Sequence, residues 1–189
     1  MAELYKKWYS SAMTIYENIY EIAVDNHYLI TTEEAAEIGI PAIELAKLAH
    51  RGKLEHMGRG LYRLARYIPG DTDPYAIAVA RFGKGAYLYG ESVIAMLELA
   101  PTNPDYVCVA VPKRTRKAIP DSIRLFKTSE NDTITAYDGI PCQSVACAIA
   151  SARTTMMDDR LQDAANRAKE EGYLTTRALK HLKDEMKWQ

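Results

Sequence analysis

Arg51, Lys53, His56, Arg59, Arg63 and Arg66 place six basic or potentially basic side chains in sixteen positions, with Glu55 the one acid among them. Chemistry open to such a cluster is the neutralisation of a polyanion. Guanidinium and ammonium groups donate charge-assisted hydrogen bonds to phosphate oxygens and release the counterions condensed on a nucleic acid. The plainer reading is a solvated hairpin. A second run, Lys113-Arg114-Thr115-Arg116-Lys117, holds four positive charges in five residues. It reads either as a solvated loop or as a second phosphate contact or docking patch for an acidic partner. The chain as a whole carries a net charge of −1, and residues 1–70 hold eight Lys+Arg against nine Asp+Glu. Affinity for a nucleic acid therefore has to come from local clustering.

Other chemistry finds little support. His27, His50, His56 and His181 stand alone, none at ligand spacing with another His, Cys or acid, so no metal site and no cofactor is expected. Gly83-Lys84-Gly85 lacks the spacing of a phosphate loop. Asp158-Asp159 opens a helix, where carboxylates suit the dipole without a metal. Gly90-Glu91-Ser92 has the Gly-Ser opening of a nucleotidyltransferase site but not the paired Asp-x-Asp downstream, so Ser92 reads as a helix cap. No enzyme activity is expected. Cys108, Cys142 and Cys147 fit no zinc or redox spacing and read as reduced structural thiols in the cytoplasm. No apolar run reaches the roughly 20 residues needed to span a bilayer, and MAELYKKWYSSAM has no signal-peptide core.

The elements that carry the first cluster follow from local rules. Apolar Ile15, Ile19, Ile22 and Ala23 fall at helical spacing within a helix over 11–26, whose stripe should pack on Leu45 and Leu48. Tyr28-Leu29-Ile30 suits a minor strand. Thr31 and Glu34 are spaced as a capping box for a short helix ending at Ile38. Gly39 turns the chain, and Pro41, with its φ already set, takes the first helical position of a second helix that ends at a Gly52 cap. Leu54, Leu61 and Leu64 around Gly58-Arg59-Gly60 predict two strands joined by a tight hairpin. Helix, turn, helix, hairpin is the order of a winged helix-turn-helix, whose commonest ligand is DNA and which also docks proteins. Its second helix would turn Ala42, Ile43, Glu44, Ala46, Lys47 and His50 outward. Lys47 could then contact a base or phosphate, His50 a phosphate or base edge, and Ile43 or Ala46 a thymine methyl. The candidate DNA contacts are Thr31, Thr32, Ala42, Ile43, Lys47, His50, Arg51, Lys53, Arg59 and Arg63, with Lys113, Arg114, Arg116 and Lys117 as a possible second contact.

A break at Arg66 to Pro74, rich in proline, glycine and polar residues, puts a boundary near residue 70. The expected fold class is α+β: a winged helix-turn-helix over 1–68, then a mixed α/β domain over 73–189 with a small sheet flanked by helices. Asp73-Pro74 should start a helix through Ala80, with Asp73 as its cap. Tyr106 to Val111 is the strongest strand signal, unbroken and apolar as in a strand covered on both faces. Ile123–Lys127 and 133–137 look like further strands, linked across Ser129 to Asp132. Gly139-Ile140-Pro141 redirects the chain, and helices over 144–152, 159–171 and 175–187 close it.

Gly39-Ile40-Pro41, Arg51-Gly52, Leu54 and Arg59-Gly60-Leu61-Tyr62-Arg63 together resemble the N-terminal domain of AbiEi-type antitoxins of type IV toxin–antitoxin (abortive infection, phage-defence) systems. Tyr87 to Leu97, with its Gly90-Glu91-Ser92, and Asp138-Gly139-Ile140-Pro141 are similar to that family's second domain. The resemblance implies an autorepressor binding inverted repeats of double-stranded DNA in its own promoter. It also implies an antitoxin that counters a co-encoded nucleotidyltransferase-like toxin without a stable complex. The arginines such proteins often carry on the recognition helix are replaced here by Ala42, Glu44, Ala46 and a single Lys47, which shifts the expected anchoring to the wing. The alternative is a protein-interaction module docking a toxin or other partner without specific DNA binding.

Overall fold

A computed structural model describes residues 15–102, 104–115 and 118–188. The expected start of the first helix before residue 15, and Arg116 and Lys117, lie outside the described residues. The chain divides into two compact units, the first ending at Gly83 and the second beginning at Lys84.

The first unit opens with α1 over 15–24. Strand β1 (Leu29–Thr31), helices α2 (Thr32–Glu37) and α3 (Ala42–His50), and strands β2 (Leu54–Gly58) and β3 (Leu61–Leu64) follow, then α4 (Asp73–Ala80). The expected capping box forms: Glu34 N–H donates to Thr31 Oγ1 at 3.1 Å and Thr31 N–H donates to Glu34 Oε2 at 2.8 Å. Pro41 is the cap of α3 rather than its first residue, one position from expectation. The three strands order β1-β3-β2, all antiparallel. Ile19 and Ala23 of α1 share one core with Ile30, Ala35, Leu45, Leu48, Leu54 and Leu64, so the helical stripe and the hairpin bury one another. This is the winged helix-turn-helix. Residues His27 and Tyr28 between α1 and β1 both take left-handed backbone, φ 53 and 58, a conformation that costs non-glycine residues roughly 1–2 kcal/mol each.

Helix α4 belongs to the first unit, later than a boundary near residue 70 would place it. Asp73 is not its cap. The carboxylate is buried and turned inward, accepting from Tyr67 OH at 2.7 Å, with Arg63 Nη1 at 3.5 Å and His27 Nδ1 at 3.9 Å.

The second unit is a five-stranded mixed sheet ordered β6-β5-β4-β8-β7. Its strands are β4 (Tyr87–Leu88), β5 (Val107–Val111), β6 (Ile123–Lys127), β7 (Ile134–Tyr137) and β8 (Ile140–Gln143). β5·β6 and β4·β8 are parallel, β4·β5 and β7·β8 antiparallel. β6 and β7, consecutive in the chain, lie on opposite edges, so the segment between them crosses the sheet. Strand β8 replaces the expected redirection: Asp138 (φ 50) and Gly139 (φ 74) form a tight hairpin turn that returns the chain along β7. Helices α5 (Glu91–Met96), α6 (Val145–Ser151), α7 (Asp158–Glu170) and α8 (Thr176–Met186) pack through Ile94, Ile149, Leu161, Ala165, Leu179 and Leu182 into the unit's core. Ser92 does not cap α5. Its hydroxyl is fully buried and accepts from Cys108 N–H of β5 at 2.8 Å.

Burial raises the pKa of all three thiols, Cys142 to about 11, as suits inert structural cysteines. Among the described residues no helix is long and apolar enough to cross a membrane.

Candidate nucleic-acid interface

Burial of Leu45 and Leu48 fixes which way α3 faces. Ala42, Ile43, Ala46, Lys47 and His50 are left exposed, and Ile43 stands 58% accessible. The spacing of Ile43, Ala46, Lys47 and His50, three, four and seven residues on from Ile43, sets them in one outward stripe. The single lysine of that stripe is not independent: Lys47 Nζ donates to Glu44 Oε1 at 2.7 Å. The outward face of α3 is thus nearly neutral and partly apolar.

Charge is concentrated past the helix. Arg51, Lys53, His56, Arg59 and Arg66 are all exposed. Lys53 Nζ rests 5.9 Å from the centre of the Tyr16 ring, and His56 packs 5.1 Å from the Tyr62 ring. Arg59 occupies the hairpin tip between Gly58 and Gly60, with nothing apolar required of it there. Arg63 is placed differently from its neighbours. Its Nη2 donates to Glu55 Oε2 at 2.7 Å, its Nη1 lies 3.5 Å from Asp73, and its side chain is only 15% exposed. The guanidinium holds the wing to α4 and is largely withdrawn from solvent.

Thr31 spends its hydroxyl and amide in the capping box. Thr32 N–H donates to Gly60 O at 2.9 Å, which ties the tip of the wing to the head of α2. Gly60 has φ 74, and a Cβ built there would meet Thr32 Oγ1 at 2.9 Å. Gly60→Ala should therefore destabilise the first unit by about 1–2 kcal/mol from backbone strain alone. A urea titration should show the lowered midpoint, and Gly60→Asn should lose less because Asn tolerates left-handed backbone.

One wing contact escapes sequence reasoning. Arg81, from the end of α4, donates through Nη2 to Met57 O at 3.2 Å, and its guanidinium lies 3.0 Å from where a Gly58 Cβ would stand. No local pattern announces it, because α4 reads as the start of another domain. Tyr67 is a second such residue. The hydrogen bond it donates to Asp73 raises its pKa to about 12. Its ring stacks on Tyr28 at 4.5 Å.

Of the second basic run, Lys113 and Arg114 are exposed in the loop after β5. Among the described residues no group of three or more His, Cys, Asp and Glu could hold a metal ion.

Residues 17–65 match the family model described as transcriptional regulator, AbiEi antitoxin. The matched stretch holds the helices and strands of the winged module from α1 to β3. The resemblance read from Gly39-Ile40-Pro41 and Arg59 to Arg63 therefore stands for this part of the chain, and it supports the broad role of an antitoxin and regulator of transcription. A crystal structure of the RV2827C protein from Mycobacterium tuberculosis is 16% identical and covers 87% of this chain and 78% of that one, with a TM-score of 0.41. A superposition that loose carries no structural conclusion. No curated protein matches the chain.

Proposed function

We propose, from the premise that the winged unit is similar to AbiEi antitoxin regulators over residues 17–65, that this protein is an antitoxin that represses its own promoter. The winged helix-turn-helix binds inverted repeats upstream of its gene. Through the antitoxin role it counters a co-encoded nucleotidyltransferase-like toxin. The observation that carries the reading is the pairing of an outward α3 with exposed Arg51, Lys53 and Arg59 beside it. The helix enters the major groove, and the wing and the helix C-terminus grip the phosphates. The role is regulatory rather than catalytic, and the site of action is the cytoplasm.

Fluorescence anisotropy of the full chain against its own upstream duplex and a scrambled duplex, at several salt concentrations, tests this. Tight, selective binding with a slope of several phosphate contacts is expected. Arg59→Ala should weaken binding to both duplexes alike and reduce the salt slope by about one contact, whereas Lys47→Ala should alter sequence preference. Loss on Arg59→Ala confined to one sequence would contradict the wing's role as a phosphate anchor.

The near-neutral, partly apolar face of α3 favours one rival, a module that docks a toxin or other partner and binds no specific DNA. In this reading the exposed Lys113 and Arg114 bind a toxin or other acidic surface. Weak, equal binding to both duplexes, with salt-sensitive co-purification of a partner, would replace the repressor by this module.

A further inference from the structure

We infer that α3 reads thymine, and that it does so through the 5-methyl group, with Ile43 as the residue that determines specificity. The inference rests on the proposed operator binding and adds to it the base that is recognised. In the major groove guanine is read by Arg or Lys, adenine by Asn or Gln, cytosine by a carboxylate and thymine by apolar contact with its methyl group. The sequence of α3 is AIELAKLAH. It holds no arginine, asparagine or glutamine, which removes adenine and the strongest guanine reader. Its lysine and its glutamate are spent on one another at 2.7 Å, so each reaches a base only by giving up an ion pair. Exposed His50 stands in the last turn, next to Arg51 and the phosphate-facing rim, so what the base-reading end of the helix offers without any such loss is Ile43, 58% exposed, beside exposed Ala42 and Ala46.

A lone exposed isoleucine is ordinary on a protein surface. This one stands in the first turn of the second helix of the helix-turn-helix, the end that contacts base edges in such modules. Two of its neighbours at that end, Ala42 and Ala46, are small enough to let the helix backbone sit close to the groove floor, while Glu44 is held by Lys47. The cations Arg51, Lys53 and Arg59 lie beyond the helix C-terminus and on the wing, where they meet the backbone and carry no base information. Affinity thereby rests on charge at the rim, while in the groove a methyl-sized apolar contact adds to any base contact Lys47 makes on leaving Glu44.

The test is anisotropy titration of the full chain against its upstream duplex, and against the same duplex with every thymidine replaced by deoxyuridine. That change removes the methyl groups and leaves base pairing intact. Affinity is expected to fall about four-fold for each methyl contacted. Ile43→Ala, at an exposed position where folding is not at stake, should abolish most of that difference. Arg59→Ala should weaken both duplexes and leave their ratio unchanged. Selective binding that is indifferent to the methyl groups would overturn the inference and leave the repressor standing. A deoxyuridine penalty that survives Ile43→Ala would also overturn it, since the methyl would then be sensed elsewhere or through duplex shape. Absence of selective binding to any duplex would overturn the repressor and this inference together.

Discussion

Asp73→Ala is expected to cost the first unit about 3 kcal/mol, and to weaken DNA binding with it, although Asp73 is no candidate for contact with DNA. Its side chain is buried, 7% exposed, and the carboxylate stands between three groups drawn from three places in the chain: Tyr67 after the wing, Arg63 in β3 and His27 in the turn before β1. Removing one partner of a buried charged pair typically costs about 3–5 kcal/mol because the other charge is left in the interior. The lower figure applies here because Glu55 still holds Arg63 at 2.7 Å. The loss does not stop at the ion pair. His27 and Tyr28 are kept at φ 53 and 58, and such residues persist only where their surroundings over-determine them. Asp73 faces His27 and orients Tyr67, whose ring is stacked on Tyr28 at 4.5 Å. Without the carboxylate the strained turn loses support at both residues. Hydrogen exchange should report it as faster opening of the β1–β3 pairs Leu29↔Arg63 and Thr31↔Leu61. Asp73→Asn, which keeps the acceptor for Tyr67 and loses only the charge, should fall between wild type and alanine. Equal stability of all three proteins would show that the carboxylate is a bystander.

Asp73 also marks where the sequence stops being legible. Asp before Pro at the head of an apolar stretch follows the rule for a helix start, and a helix does start there. The rule assigns the side chain to the helix, and the fold assigns it to a cluster with Arg63, Tyr67 and His27, none within the turn that the rule inspects. The capping box at Thr31 and Glu34, the stripe Ile15-Ile19-Ile22-Ala23 and the hairpin at Arg59 were readable because each is decided within a few residues. The same divide runs through the candidate interface. Exposure of Ile43, Lys47, His50 and Arg59 follows from helical periodicity and hairpin geometry. Engagement of Arg63 and Lys47 with carboxylates does not, because it depends on which acid the fold brings near. In the second unit β8 is hard to see in the sequence although Asp138-Gly139 is a strong hairpin signal, because a proline such as Pro141 argues against a strand. Pro141 is exposed and β8 still pairs with β7 across Ala136↔Pro141.

Gln143→Leu is the second large expected loss, about 3 kcal/mol in the second unit, and its cause is the crossing of the sheet between β6 and β7. That crossing carries Asp132 over to β4 and β8, where Tyr87 OH and Gln143 Nε2, the latter at 2.8 Å, both donate to it. Gln143 is fully buried. Its Nε2 also lies 3.0 Å from Ser151 Oγ, and its Oε1 accepts from Gly90 N–H at 2.8 Å. Leucine fills the volume but orphans Gly90 N–H, at about 1–3 kcal/mol, and takes from the Asp132 carboxylate one of its donors, a charge-assisted hydrogen bond worth about 1.5–3 kcal/mol. Gln143→Glu separates this account from simple packing. It preserves shape and the acceptor for Gly90, and it turns a donor to Asp132 into a second carboxylate. In the wild type burial pushes Asp132 up, but hydrogen bonds from Tyr87, Gln143, Cys147 and Ser129 N–H outweigh it and hold the carboxyl below its ordinary value. Its contribution is therefore present above a pH of about 4 and lost as pH falls through the lowered folded value. Two carboxylates at that distance cannot both ionise easily, so in Gln143→Glu the pair takes up a proton with a raised folded pKa. That contribution has the opposite sign: present at low pH and lost as pH rises through the raised value. Between pH 7 and pH 5 the urea midpoint of the wild type should stay level while that of Gln143→Glu climbs. Parallel pH profiles would mean that Gln143 holds the sheet crossing by shape alone.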